Sequence, residues 1–572
     1  MTDPRTPQSR RAEVIPTPIR RELDRVLSVR GAEREERLLA CRNLPAVVAL
    51  MPPEELYFTL KEMDRDNVPL VLAHARTEQI EFFLDLELWD RDRVRSDRVV
   101  PWLELLASCG EAALGRWLRN LDLADLALYL GQVVKVHVAR EPDEDVFQEL
   151  PGRAPITIDG FYYLRCAPGH ETLVRSVLLV VRDRDPDHYF RLMEALIRDV
   201  DSELEEYVYE QRQRRLAVRG FPEWDEAVEI YAPLDADTAD DLPLRRSFAD
   251  PAPEGEPEVG PRYPVAAPGV APDLLARALR CLEDPALLES LHAEIAFLTN
   301  KLLVADRLPL DRLDSYHRAL SKVAGYLSIG LEYLAGPDDR GAARLLARHW
   351  IQHLFRVGWT RVLRAQQRAR RIFRRGWPEG HKERLLFLDE PLGEILDGLL
   401  RPHPLWYAGP TEAPGYRPFR SLSEVDRAVR AVDKAEFVGR FLFSAVDLRL
   451  DDIRGALTHV EPENLKASTV FLTALVNAAL GRGFRFAPIP RERAREGLAR
   501  VWQEDRPPRR VRPELLDASV EWVGMLMPLR GTDEAYLREF VTECFGLLED
   551  EFGHLAPDET PDPRFVRGLW IE

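Results

Sequence analysis

Apolar residues near the N-terminus keep a long beat. Leu56, Ile80, Leu103 and Leu126 follow one another at 24, 23 and 23 residues, and Leu60, Leu84 and Leu130 echo three of them one helical turn later. Inside each unit the apolar positions fall three and four apart (Leu56, Leu60 and Met63, then Ile80, Phe83, Leu84 and Leu88), the spacing of one buried stripe on an α-helix. Such a stripe needs a neighbour, so the succession predicts short helices stacked in sequence order as a helical-repeat superhelix. Pro52-Pro53 before Glu54, Thr77 as a cap before Glu78, and Gly110 punctuate the units. The third unit, Pro101-Trp102-Leu103, lacks the polar lead-in of Glu54-Glu55-Leu56, Glu78-Gln79-Ile80 and Ala124-Asp125-Leu126.

Elsewhere the pattern is again helical. Residues 1–17 are polar and predict a disordered tail, and Ile19 to Val29 has the spacing of a short helix. Ile156-Thr157-Ile158 and Phe161-Tyr162-Tyr163-Leu164, separated by Asp159-Gly160, predict a small β-hairpin near 156–165, the one evident β element. Leu173 to Val181 reads as helix, and Asp185-Pro186 caps another predicted from about Asp187 to Arg215. Residues 232–272, dense in proline, alanine and acids, predict a disordered tether between an N-terminal helical-repeat domain (18–231) and a larger C-terminal helical domain (273–572). In the latter, helices are expected over Leu274 to Leu334, Ala342 to Phe373, Leu385 to Leu400, Ser423 to Val446, Pro462 to Leu480, Pro513 to Met527 and Asp533 to Glu551. The fold class is all-α.

Composition narrows the partners. With 572 residues the chain exceeds what one core holds. A net charge of -18 disfavours a phosphate backbone as principal partner, since such binding needs basic residues to displace counterions. Arginine supplies almost every positive charge, which reads as genomic base composition. Five scattered cysteines, never spaced C-x-x-C, fit neither a disulfide framework nor a zinc ribbon. No signal-peptide core and no membrane span is evident, and a cytoplasmic location is expected.

Catalytic fingerprints are missing. None of the seven lysines is followed by serine or threonine, as a phosphate-cradling loop requires, so nucleotide binding by the familiar loops is not expected, and no cofactor is implied. Ser328, in Gly325-Tyr326-Leu327-Ser328-Ile329-Gly330, has its first glycine one position too early for a nucleophile elbow. His349 and His353, four apart on a predicted helix, share one face at the spacing that chelates a transition metal, although no third ligand is evident. The bland alternative is a pair that packs at a helix junction. Residues 356–375 are the most basic stretch, and Arg364, Arg368, Arg370, Arg371, Arg374 and Arg375 among interleaved apolar residues make a candidate partner surface. Intramolecular pairing with the acidic remainder is the competing reading. Trp89, Trp102 and Trp117 read as wedges between helices.

On Leu44-Pro45, Met51-Pro52-Pro53-Glu54-Glu55-Leu56, Arg76-Thr77-Glu78-Gln79-Ile80 and Leu121-Asp122-Leu123-Ala124-Asp125-Leu126, residues 41–135 resemble the N-terminal helical-repeat domain of MgtE-type magnesium transporters and the middle domain of the flagellar motor switch protein FliG. The resemblance implies a compact superhelix serving regulation or assembly. The whole chain resembles an uncharacterised bacterial family, through Arg215-Leu216, Gly220-Phe221-Pro222, Ala296-Phe297-Leu298, Gly330-Leu331-Glu332-Tyr333-Leu334 and Leu354-Phe355-Arg356-Val357-Gly358. That likeness implies no reaction, cofactor or catalytic residue.

The leading expectation is a non-catalytic cytoplasmic scaffold or regulatory adaptor that binds other proteins through helical surfaces. The alternative is a sensor or enzyme with a metal or small-ligand site in the C-terminal helical domain, using His349 and His353 as ligands or His317 as a base. A second alternative is RNA or anionic-lipid binding through the basic helix 356–375.

Overall fold

The computed structural model describes residues 17–138, 156–197, 202–245, 274–375, 387–410, 415–446, 448, 465–504, 506–555, 561 and 566–572. The expected N-terminal tail, apart from Thr17, and residues 246–272 of the expected tether lie outside the described residues. The described chain is mostly helical and divides into two compact units, Met1–Arg356 and Val357–Glu572.

In the first unit nine short helices run from Thr17–Leu27 to Leu123–Gly131. Over this array each helix packs on the helix two places further along: Gly31–Leu39 on Pro53–Glu62, Pro53–Glu62 on Thr77–Glu87, Thr77–Glu87 on Glu111–Asn120, with the alternate set likewise. The beat residues Leu56, Ile80, Leu103 and Leu126 are all buried at these contacts. The residue before each beat explains the polar lead-in. Glu55 pairs with Arg34 at 2.5 Å, both buried. Buried Gln79 donates to the carbonyls of Val48 and Met51 and accepts from the Arg76 amide. Asp125 meets Arg215 at 3.1 Å. Each polar group thus closes a backbone or ionic debt of a neighbouring element where no water reaches. Trp102, in the deviating third unit, instead packs its ring 6.4 Å from Phe83.

The expected hairpin is larger than the sequence suggests. Val134–Val138 adds to Tyr162–Cys166, which also pairs with Ile156–Thr157, giving a three-stranded antiparallel sheet. Two further two-residue ladders, Trp89–Asp90 with Arg93–Val94 and Trp406–Tyr407 with Tyr416–Arg417, show that the hairpin is not the lone β element. The helix expected from Asp187 to Arg215 is described as Pro186–Ile197 and Ser202–Val218.

The expected domain boundary also changes. Helices Leu274–Arg280, Pro285–Ala305, Leu313–Ala335 and Asp339–Arg348 belong to the first unit, and the division falls within Ile351–Arg375. Nor is the start of the expected tether loose: Leu244 bridges His349, the Arg245 amide donates to the Arg348 carbonyl at 2.7 Å, and the Arg245 guanidinium meets Glu294 at 2.8 Å. Proline-rich composition conceals this, because it removes helical periodicity without removing the ability to pair.

The second unit is built on Leu422–Arg440, which continues into a π-helical turn, Phe441–Ala445, and packs on Leu392–Leu400 and Asp533–Phe552. Phe437, Phe441, Phe471 and Phe540 meet at its centre. Among the described residues, no helix is long and apolar enough to cross a membrane.

Candidate functional site

The sequence candidates land apart. His349 and His353 do not share one helix. Asp339–Arg348 ends before His349, which is extended (φ −127, ψ 152), buried, and sets Nδ1 3.1 Å from the Pro243 carbonyl. His353 lies in the first turn of the next helix, half-buried, and burial, Arg356 and His349 hold its imidazole below the ordinary range. Among the described residues no cluster of three or more histidines, cysteines or acids is placed to hold a metal ion. His317 is exposed, and the space beside its neighbour Tyr316 is only about 10 Å³ because Phe58 packs edge-on at 4.5 Å. Ser328 is buried and accepts from the Leu275 amide, a packing role. Arg364, Arg368, Arg370 and Arg371 line the exposed side of Ile351–Arg375, where Arg368 pairs with Asp433 at 2.6 Å, and Arg374 and Arg375 close that helix.

A different site emerges in the first unit. A cleft of about 950 Å³ is walled by the Trp89–Val94 ladder, by Ser202–Val218 with the segment after it, and by the loop that follows Pro285–Ala305. Its lining holds Arg91, Arg95, Arg98, Arg212, Arg307 and Arg312 against Asp90, Glu223, Asp225 and Asp311, an excess of positive charge within an acidic chain.

Local chain geometry aims these arginines. The ladder pairs Trp89 with Val94 and Asp90 with Arg93, leaving a two-residue connection that puts Arg91 in the left-handed region at φ 58. Glu205 accepts from the Val94 amide at 3.4 Å and ties the ladder to the long helix. Arg95 and Arg98 follow, sharing Asp311 at 3.2 and 4.0 Å.

On the opposite wall two helices end in the same way. After Ser202–Val218 the Phe221 amide reaches the Leu216 carbonyl and the Gly220 amide reaches Ala217; after Pro285–Ala305 the Leu308 amide reaches Leu303 and the Arg307 amide reaches Val304. Both are Schellman ends, which need a left-handed residue and usually use glycine. Gly220 (φ 86) obeys that preference, but the other helix carries Arg307 at φ 53. Asp306, just before it, is fixed by Tyr231 at 2.5 Å and Lys322 at 2.6 Å. Arg91 and Arg307 are the two non-glycine residues with positive φ among the described residues, and both line this cleft.

The deepest arginine is the most telling. Arg212 is 5% exposed, donates Nε to the Asp85 carbonyl at 2.8 Å and lies 5.3 Å over the Trp89 ring. Among the described residues no carboxylate stands within ion-pair distance of it, since Asp85 is taken by Arg215. Burial accordingly holds its guanidinium below the ordinary value, opposed by the Asp85 charge. Buried charge without an ionic partner is costly and invites an anion. Arg91, Arg307 and Arg312 are exposed at the mouth and, among the described residues, also form no ion pair; Arg307 instead covers the Trp224 ring at 4.4 Å. A guanidinium matches carboxylate and phosphate oxygens with two parallel donors, so the arrangement can hold a multiply charged anion.

Sequence reasoning missed this site. The run Trp89-Asp90-Arg91-Asp92-Arg93-Val94-Arg95-Ser96-Asp97-Arg98 was its one signal, obscured by arginine abundance throughout the chain.

No curated protein and no solved structure matches the chain, and no match bears on the expected resemblance of residues 41–135 to MgtE and FliG domains. A family profile matches residues 11–572, and the chain belongs to the family of unknown function DUF6178.

Proposed function

We propose that this chain is a non-catalytic, cytoplasmic regulatory adaptor, and that its first unit responds to a multiply charged anion bound in the arginine-lined cleft. The observation that carries this reading is Arg212, a buried guanidinium that forms no ion pair among the described residues, opening on a cleft that five further arginines line. Six guanidinium groups, which do not exchange protons near neutrality, outnumber the four carboxylates of the lining, and among the described residues the lining holds no histidine, cysteine, lysine, serine or threonine. Recognition rather than turnover is the chemistry that suits it. The stacked helical array beside the cleft supports an adaptor, because such arrays offer long surfaces to other proteins.

The reading is tested with tripolyphosphate as probe. At low ionic strength it should raise the Tm of the full chain by several degrees, and salt should weaken the effect. The double variant Arg91→Glu, Arg312→Glu should keep its ligand-free Tm and lose the rise. An unchanged wild-type Tm, with no binding by calorimetry, would overturn the proposal.

A further inference from the structure

We infer that the anion is a nucleoside polyphosphate, its phosphates among the arginines of the Arg91–Arg98 segment and Arg212, its base against Glu223-Trp224-Asp225. This rests on reading the cleft as an anion site and adds a second half to the ligand.

Size is the first argument. About 950 Å³ lies near the top of the roughly 300 to 1,000 Å³ usual for small-molecule sites and far exceeds the space one phosphate needs. The second is the wall opposite the Trp89–Val94 ladder. Trp224 is 42% exposed, anchored by Nε1 to the Ala305 carbonyl at 3.3 Å and paired with the Arg307 guanidinium. An indole with a cation on it is a stacking platform for a flat heterocycle, since both planes accept a base face. Tyr209, half-buried, contributes a second ring.

The third argument is the sign of the neighbours. Glu223 and Asp225 flank Trp224, are exposed, and form no ion pair among the described residues. Carboxylates there repel phosphates but accept hydrogen bonds from base amino groups or ribose hydroxyls. An anion lacking a ring and donors would use only the arginines and would meet repulsion at this end. The cleft is thus matched to a ligand charged at one end and aromatic, with donors, at the other.

Calorimetric titration of the full chain with ATP, GTP and sodium tripolyphosphate separates the claims. At least one nucleotide should bind tenfold or more tightly than tripolyphosphate. Trp224→Ala should remove that advantage while leaving tripolyphosphate affinity within twofold, and Trp224→Leu, which keeps an apolar body without a ring, should do the same. Arg212→Gln should weaken every probe at least tenfold. Equal affinities for nucleotides and tripolyphosphate, or an advantage that survives both Trp224 variants, would overturn base recognition and leave the anion site standing. Binding of none of the three would overturn the anion site itself.

Discussion

Arg215 clasps Asp85 through two parallel hydrogen bonds, Nε to Oδ2 at 2.9 Å and an Nη to Oδ1 at 2.7 Å, joining the Ser202–Val218 helix to the repeat array. Its other nitrogen reaches Asp125. Asp85 is buried, so removing its charge leaves the partly exposed Arg215 with Asp125 as its remaining ionic partner. Asp85→Asn should cost about 3 kcal/mol, the low end for breaking a buried pair from one side. Urea denaturation followed by tryptophan fluorescence measures it, and a loss under about 1 kcal/mol would show that the clasp is not structural.

The carboxyls around that clasp predict a pH dependence. Burial pushes Glu81 and Asp125 up to about 7, against the opposing charge of Arg215. The folded chain therefore binds protons there more tightly than the unfolded chain, and stability contributed by these groups is present at low pH and falls as pH rises from the ordinary carboxylate range through about 7. Glu81→Gln should match wild type in Tm at pH 5 and be the more stable at pH 8. A variant less stable at pH 8 would contradict this.

Arg307 sits where a Schellman end favours glycine. Arg307→Gly should leave stability unchanged or raise it by up to about 1 kcal/mol, because the left-handed residue no longer carries a Cβ. The same variant should bind the nucleotide several-fold more weakly, because Arg307 lies on the Trp224 ring that receives the base. Strain retained at a ligand site is expected where function requires the side chain. Lost stability with intact binding would reverse the assignment.

Gly220 is the contrasting case. Its φ of 86 is left-handed, and a Cβ there would stand 2.8 Å from the Phe297 ring and 3.1 Å from the Phe297 Cα. Gly220→Ala should destabilise by at least about 1 kcal/mol from the backbone conformation alone, with the contact adding to it. Thermal unfolding checks this, and an unchanged Tm would mean that the helix end rearranges.

Much of the fold was legible because burial imposes periodicity. The spacing of Leu56, Ile80, Leu103 and Leu126 follows from helices that bury one stripe each, and the polar residues before three of them are the groups that satisfy buried neighbours. Val134–Val138 was not legible as a strand, since its partner Tyr162–Cys166 lies far along the chain and local pattern cannot supply it. His349 and His353 show the reverse fault: four apart in sequence, they are separated by a helix end that Trp350-Ile351 does not announce. The cleft arginines escaped because three distant segments bring them together, and neither spacing nor composition records that convergence.

Hydrogen exchange of the full chain with and without tripolyphosphate tests the central claim most directly. Amides of the Trp89–Val94 ladder, the Arg95–Arg98 segment and residues 307–312 should gain protection together, because one ligand bridges all three. No change in those segments, or protection confined to the basic helix 356–375, would contradict the account.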